Sequence, residues 1–157
     1  MAEMPGIGAK APEFNLERDG GGNAKLADFK GRKLVLYFYP KDDTSGCTTE
    51  AKDFSALAKD FEKAGAVVVG VSPDPVKKHD RFKAKHDLAI TLLSDESTAI
   101  LEAWGVWKEK SMYGRRYMGV ERTTFLIDGK GIVRQIWPKV KVAGHAQAVL
   151  EAARILS

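Results

Sequence analysis

The seven residues Lys33 to Tyr39, KLVLYFY, constrain the fold most: beyond Lys33 they are apolar or aromatic without alternation, and Pro40 stops them. A run this short, with no polar face, fits a central strand buried on both sides. Such a strand needs neighbours along both edges and cover over both faces. KDDTSG then reads as a loop, and between Cys47 and Lys63 the apolar residues Ala51, Phe54, Leu57, Ala58 and Phe61 recur at helical spacing before Gly65. The chain is thus expected to pass from a buried strand through a turn into a helix that starts at or just before Cys47.

The same pattern repeats downstream. Ala66 to Val71 reads as a second buried strand, and Pro73 to Pro75 introduces a helix to about Lys85, with Val76, Phe82 and Leu88 as apolar markers. Ile90 to Leu93 reads as a short strand and Ser97 to Trp104 as a short helix, with Ser97 or Thr98 near its cap. Gly105 to Glu121 is expected to be a long loop rich in aromatics. Arg122 to Ile127 and Ile132 to Trp137, joined by Asp128-Gly129-Lys130-Gly131, predict an antiparallel hairpin, and Ala143 to Leu156 a closing helix. Near the start, Gly20 to Asn23 separates two short segments that read as a further hairpin. The fold expected is α/β and thioredoxin-like: a central mixed β-sheet flanked by helices, with an N-terminal β-hairpin. Without repeats, low-complexity stretches or a linker, residues 1–157 are expected to form one domain.

Composition narrows the function classes. At 44% hydrophobic and 29% charged residues the chain is neither disordered nor a disulfide scaffold. The formal charge of +4 arises from 25 basic residues interleaved with 21 acidic ones, so no nucleic-acid partner is expected. No apolar run nears the roughly 18 residues a membrane span needs. MAEMPGIGAKAPEF shows no basic region followed by an apolar stretch, so a cytoplasmic protein without a membrane partner is expected.

One cysteine stands alone, Cys47, so no intramolecular disulfide can form. At a helix start, free backbone N–H groups and the positive end of the helix dipole favour a thiolate, the nucleophilic form. Asp42, Asp43 and Glu50 lie close in sequence and would oppose that charge if they pointed at the sulfur. A cation from elsewhere is needed, and spacing alone does not choose among Arg115, Arg116, Arg122 and Arg134. On position alone, Cys47 reads equally well as a small buried hydrophobe.

The surrounding motif distinguishes these readings. YPKDDTSGC carries Pro40, Thr44 and Cys47 at the spacing Pro-x-x-x-Thr-x-x-Cys and resembles the active-site signature of peroxiredoxins. The wider FYPKDDTSGCTTEAKDF is similar to the bacterioferritin-comigratory-protein or Q-type subfamily. The resemblance extends from APEFNL at Ala11 through SPD at Ser72, LLSD at Leu92 and WGVW at Trp104 to RTTFLID at Arg122. It implies that Cys47 is the peroxidatic cysteine, oxidised to a sulfenic acid as it cleaves the peroxide O–O bond. It further implies that the Thr44 hydroxyl bonds thiolate and peroxide while the residue caps the helix, that Pro40 shields the sulfur, and that Arg122 is the cation. Glu50 occupies the place of an acid that orients the arginine, although a solvated glutamate in the first helical turn would look the same.

Such a reaction needs no metal and no cofactor. His79, His86 and His145 show no ligand spacing with other donors and read as surface residues. Trp104, Trp107, Tyr113 and Tyr117 read as substrate approach, dimer surface or plain packing.

The chain departs from the subfamily at one point. Where many relatives carry a resolving cysteine, five residues after the first or in the following helix, this sequence has Lys52 and Lys83. The resemblance therefore implies a one-cysteine peroxidase of hydrogen peroxide and organic hydroperoxides, working as a monomer or weak homodimer. Its sulfenic acid would be reduced by an external thiol such as thioredoxin, or glutathione with glutaredoxin. Lys52 and Lys83 are candidates for attracting an anionic thiol. The competing function is a thioredoxin-fold redox sensor or holdase that uses Cys47 oxidation without turnover.

Overall fold

A computed structural model describes residues 3–156. The apolar run forms strand β3 (Lys33–Phe38), the axis of a seven-stranded sheet. Parallel β4 (Ala66–Ser72) lies along one edge, pairing from Lys33 with Ala66 to Phe38 with Val71. Antiparallel β8 (Thr123–Ile127) lies along the other, with Leu34 opposite Ile127. Leu34 through Tyr39 are all at most 1% exposed, which is why the run shows no alternation of polarity.

Four further strands complete the sheet. The N-terminal hairpin pairs β1 (Asn15–Arg18) with β2 (Asn23–Lys25), and β5 (Thr91–Ser94) stands between β1 and β4. β9 (Val133–Trp137) follows β8 through the Asp128 to Gly131 turn, giving the order β2-β1-β5-β4-β3-β8-β9. Only the β3–β4 and β4–β5 pairings are parallel, so the sheet is mixed, as expected.

Successive residues of β3 feed opposite cores, the period of two that every strand imposes. Val35, Tyr37 and Tyr39 face a cluster built on α1 (Ser45–Ala56), α2 (Ala58–Lys63), α3 (Val76–His86) and α5 (His145–Ile155). Leu34, Leu36 and Phe38 face the other cluster, which includes Leu101 of α4 (Ala99–Ala103) and Phe29 of a 3-10 turn. There Phe38 packs its ring 5.5 Å from Trp104 and edge-on to Phe125.

Three expectations are corrected. The long loop at Gly105 to Glu121 is instead an antiparallel hairpin of β6 (Trp107–Met112) and β7 (Arg115–Val120), separate from the main sheet. Its turn is Tyr113-Gly114, with φ of 52° and 77°, the left-handed pair that a two-residue hairpin turn requires. The helix read from Cys47 to Lys63 is divided at Leu57, whose φ and ψ of −98° and 5° leave the helical region. Finally, His79 and His145 are not surface residues: they are 0% and 7% exposed, because each finds a polar partner inside the protein.

Candidate active site

β3 delivers the chain to the site and Pro40 ends its ladder; the last bond is from Tyr39 N to Val71 O, 3.0 Å. Asp43 then takes a left-handed φ of 61° that turns the chain into α1. Thr44 is the N-cap residue with extended backbone, so Ser45, Gly46 and Cys47 form the first turn. The Cys47 side chain is 1% exposed and lies in the cluster with Tyr37 and Phe54, beside the unsatisfied N–H groups of a helix start.

Thr44 holds the N-cap position without making the usual cap. Its hydroxyl donates to Lys41 O at 2.8 Å, and the helix receives no side-chain bond from it. With its proton committed, the oxygen keeps lone pairs that can accept from an O–H donor.

Geometry separates the four arginines. Arg122, between β7 and β8, places Nη2 3.4 Å from Cys47 Sγ and Nη1 2.6 Å from Glu50 Oε1. Arg116 pairs with Glu109, Arg134 pairs with Asp128, and Arg115 is exposed on β7. Gly46 eases the approach of Arg122, since a Cβ there would stand 3.2 Å from Nη2, a tight contact.

Glu50 is 1% exposed, so it is not the solvated glutamate that its position in the first helical turn also allowed. Burial pushes its carboxyl up to about 7, against the charge and hydrogen bond of Arg122. Among the described residues Oε2 has no hydrogen-bond partner. Burial alone would lower the Arg122 value, but Glu50 and then Cys47 raise it. Beneath the pair lies the Tyr37 hydroxyl, also buried and unpartnered; burial, Glu50 and Cys47 all push its pKa up. Gly70 leaves room for that ring, because a Cβ there would meet Tyr37 Cζ at 2.7 Å.

The aspartates that threatened the thiolate point elsewhere. Asp42 accepts from the Tyr39 hydroxyl and meets His79 Nδ1 at 2.6 Å, while His79 Nε2 meets Leu93 O at 2.8 Å. A carbonyl can only accept, and an ionised carboxylate can only accept, so this ring donates from both nitrogens and is an imidazolium. Burial opposes that charge, yet the bond and charge of Asp42 outweigh it and raise the His79 value. Asp43 pairs with Lys85 at 2.7 Å and with His86 at 2.9 Å. Two histidines two turns apart on one stripe of α3 thus grip adjacent aspartates of the loop before Cys47.

Asp42, Asp74 and His79 bring ligand-type atoms within 4.8 Å of one another. Both nitrogens of His79 are already committed, so a cation there would have to break the clamp. His145 is different: burial, with Arg122 next, lowers it to about 4, and the neutral ring shares a 2.8 Å hydrogen bond with the Thr124 hydroxyl.

Other candidates scatter. Lys52 is exposed on α1, and Lys83 is tied to Asp19 at 2.7 Å, with no bond to Cys47. Trp104 is core, Trp107 packs against the same cluster, and Tyr113 is 99% exposed at the hairpin tip. Lys110 was missed by sequence reasoning. It is half-buried on β6, and its ammonium value is lowered first by burial and then by Arg122, with Glu121 and Cys47 acting the other way.

Comparison with known proteins bears on this arrangement. The profile of the AhpC/TSA family matches residues 7–136. Over 144 residues the chain is 51% identical to a putative peroxiredoxin bcp of Coxiella burnetii, covering 92% of this chain and 95% of that one. It is 49% identical to peroxiredoxin Bcp of Bacillus subtilis over 151 residues, 96% of each. Among solved structures, bacterioferritin comigratory protein of Xanthomonas campestris, studied for alkyl peroxide reduction, superposes with a TM-score of 0.86 at 52% identity over 90% of both chains.

Proposed function

The chain belongs to the AhpC/TSA family, among peroxiredoxins of the Bcp or Q type, and on that premise we propose that Cys47, Thr44 and Arg122 carry out its peroxidase reaction. It is a thiol peroxidase: hydroperoxides are reduced to water or an alcohol through a Cys47 sulfenic acid, which a thiol then reduces. The observation that carries the assignment of residues is the 3.4 Å approach of Arg122 Nη2 to Cys47 Sγ.

The geometry supports distinct tasks. The Cys47 thiolate attacks the nearer peroxide oxygen and the O–O bond breaks, so the departing oxygen leaves as hydroxide or alkoxide and takes up a proton. Arg122 donates to the sulfur and to the oxygen that gains charge in the transition state. The Thr44 oxygen, whose own proton is held by Lys41 O, accepts from the hydroperoxide O–H and so orients the substrate. Pro40, without an N–H, walls the pocket beside the strand end. Glu50 positions Arg122 through the 2.6 Å bond. The whole chain acts as one domain, and because Cys47 is its only cysteine the reductant thiol comes from outside.

Hydrogen peroxide consumption with dithiothreitol tests this reading. Turnover is expected to vanish in Cys47→Ser. Stoichiometric oxidation of Cys47 without turnover on any thiol would support the sensor reading in its place.

A further inference from the structure

Building on the peroxidase reading, we propose that one face of the β6–β7 hairpin, carrying Lys108, Lys110 and Arg115, binds the external reductant and selects a small anionic thiol. In an antiparallel pair, residues directly opposite share a face. Lys108 opposes Gly119, Lys110 opposes Tyr117 and Met112 opposes Arg115, which puts three cations on one face with no carboxylate among them. Glu109 lies on the other face, where it pairs with Arg116 at 3.5 Å. Among the described residues none of Lys108, Lys110 and Arg115 enters an ion pair.

Lys110 ties this face to the active site. Its stem lies across Gly119, where a Cβ would stand 3.3 Å from Lys110 Cδ. The half-buried ammonium acts on Arg122 and Cys47, and β7 continues into Arg122 after only Glu121. Glu121 acts on Lys110 without reaching ion-pair distance. A partly desolvated cation with no partner is stabilised by an arriving anion. The burial of Cys47 favours a slim occupant, because a residue 1% exposed offers little surface to a second globular protein.

The chemistry follows in two steps. A bound thiolate attacks the sulfur of Cys47–SOH, forming an S–S bond and expelling hydroxide, which becomes water with one proton. A second thiol attacks the mixed disulfide, releasing the small disulfide and returning Cys47 to its reduced form. Two thiols supply the two electrons that the sulfenic acid accepts.

The test oxidises the full chain with one equivalent of hydrogen peroxide and follows loss of the sulfenic acid by mass spectrometry. Mercaptoacetate, mercaptoethanol and cysteamine are offered, thiols of similar size with negative, neutral and positive charge, and rates are compared per thiolate. At low salt mercaptoacetate is expected to exceed mercaptoethanol by about tenfold, with cysteamine slowest and the spread narrowing as salt rises. Lys108→Gln with Lys110→Gln should bring the ratio of mercaptoacetate to mercaptoethanol close to one, while Lys110→Arg should keep it. Equal rates for the three thiols, or an unchanged ratio in the double glutamine variant, would overturn the proposal. If no sulfenic acid forms at all, it is the peroxidase reading that fails.

Discussion

Glu50 gives one carboxylate oxygen to Arg122 at 2.6 Å and leaves the other buried with no partner. A carboxyl in that position is poised between two states. Neutral, it holds a proton on Oε2 and leaves the full charge of Arg122 to the sulfur. Ionised, it anchors the guanidinium but adds a negative charge beside the thiolate.

Glu50→Gln should therefore remove an inflection near pH 7 from the rate of Cys47 oxidation, since burial raises this carboxyl from 4.5 to about 7. The variant should also be more stable above neutrality. A raised acid value stabilises the fold below 4.5 and loses that contribution as pH rises through 7. The neutral amide avoids the loss, a gain of up to about 3 kcal/mol. Stopped-flow oxidation across pH, alongside urea unfolding at acid and alkaline pH, checks both halves.

Arg122→Lys is expected to lower the second-order rate of Cys47 oxidation by about a hundredfold, as loss of a transition-state donor does. An ammonium carries the charge but lacks the planar fork that reaches sulfur and carboxylate together. A rate within a few fold of the parent would show that charge alone suffices.

Thr44→Ser retains the hydroxyl and should retain the activity. Thr44→Val removes both the 2.8 Å bond to Lys41 O and the acceptor for the hydroperoxide. Its expected signature is a stability loss of about 1 kcal/mol together with a fall in peroxide reactivity that added arginine charge does not rescue. Thermal unfolding and competition for peroxide against a second peroxidase measure the two effects.

His79→Gln should cost about 3 to 5 kcal/mol, because it leaves Asp42 buried without its cation. The parent should also lose stability at alkaline pH. The His79 value is raised, so its contribution is complete below 6.5 and fades as pH climbs through the higher folded value. Denaturant midpoints on both sides of that window should differ more in the parent than in the variant, where only the Glu50 contribution is left.

The sheet was legible wherever one physical signal dominated. KLVLYFY has no polar face, and the Asp128-Gly129 turn has familiar chemistry, so β3 and the β8–β9 hairpin could be placed from residues alone. β6, WKEKSM, hides its pairing because charges fall on both faces and a tyrosine occupies a turn position where asparagine is the usual cue. His79 was readable in principle, since Val76, His79 and Phe82 share one helical stripe, but its polarity suggested solvent. The bond between Glu50 and Arg122 joins residues 72 apart, and only folding reveals that Glu50 is sheltered from water.

Position 46 carries a consequence for how this chain can change over time. A methyl group there would press on a guanidinium whose two ends are both held, at 3.4 Å by sulfur and at 2.6 Å by Glu50. Substitutions at 46 and 122 are therefore non-additive: alanine at 46 asks Arg122 to give by a few tenths of an ångström, and what that costs depends on how firmly both ends are held. A lineage descending from this sequence would meet the two positions as a coupled pair, linked by nothing larger than the difference between a hydrogen atom and a methyl group.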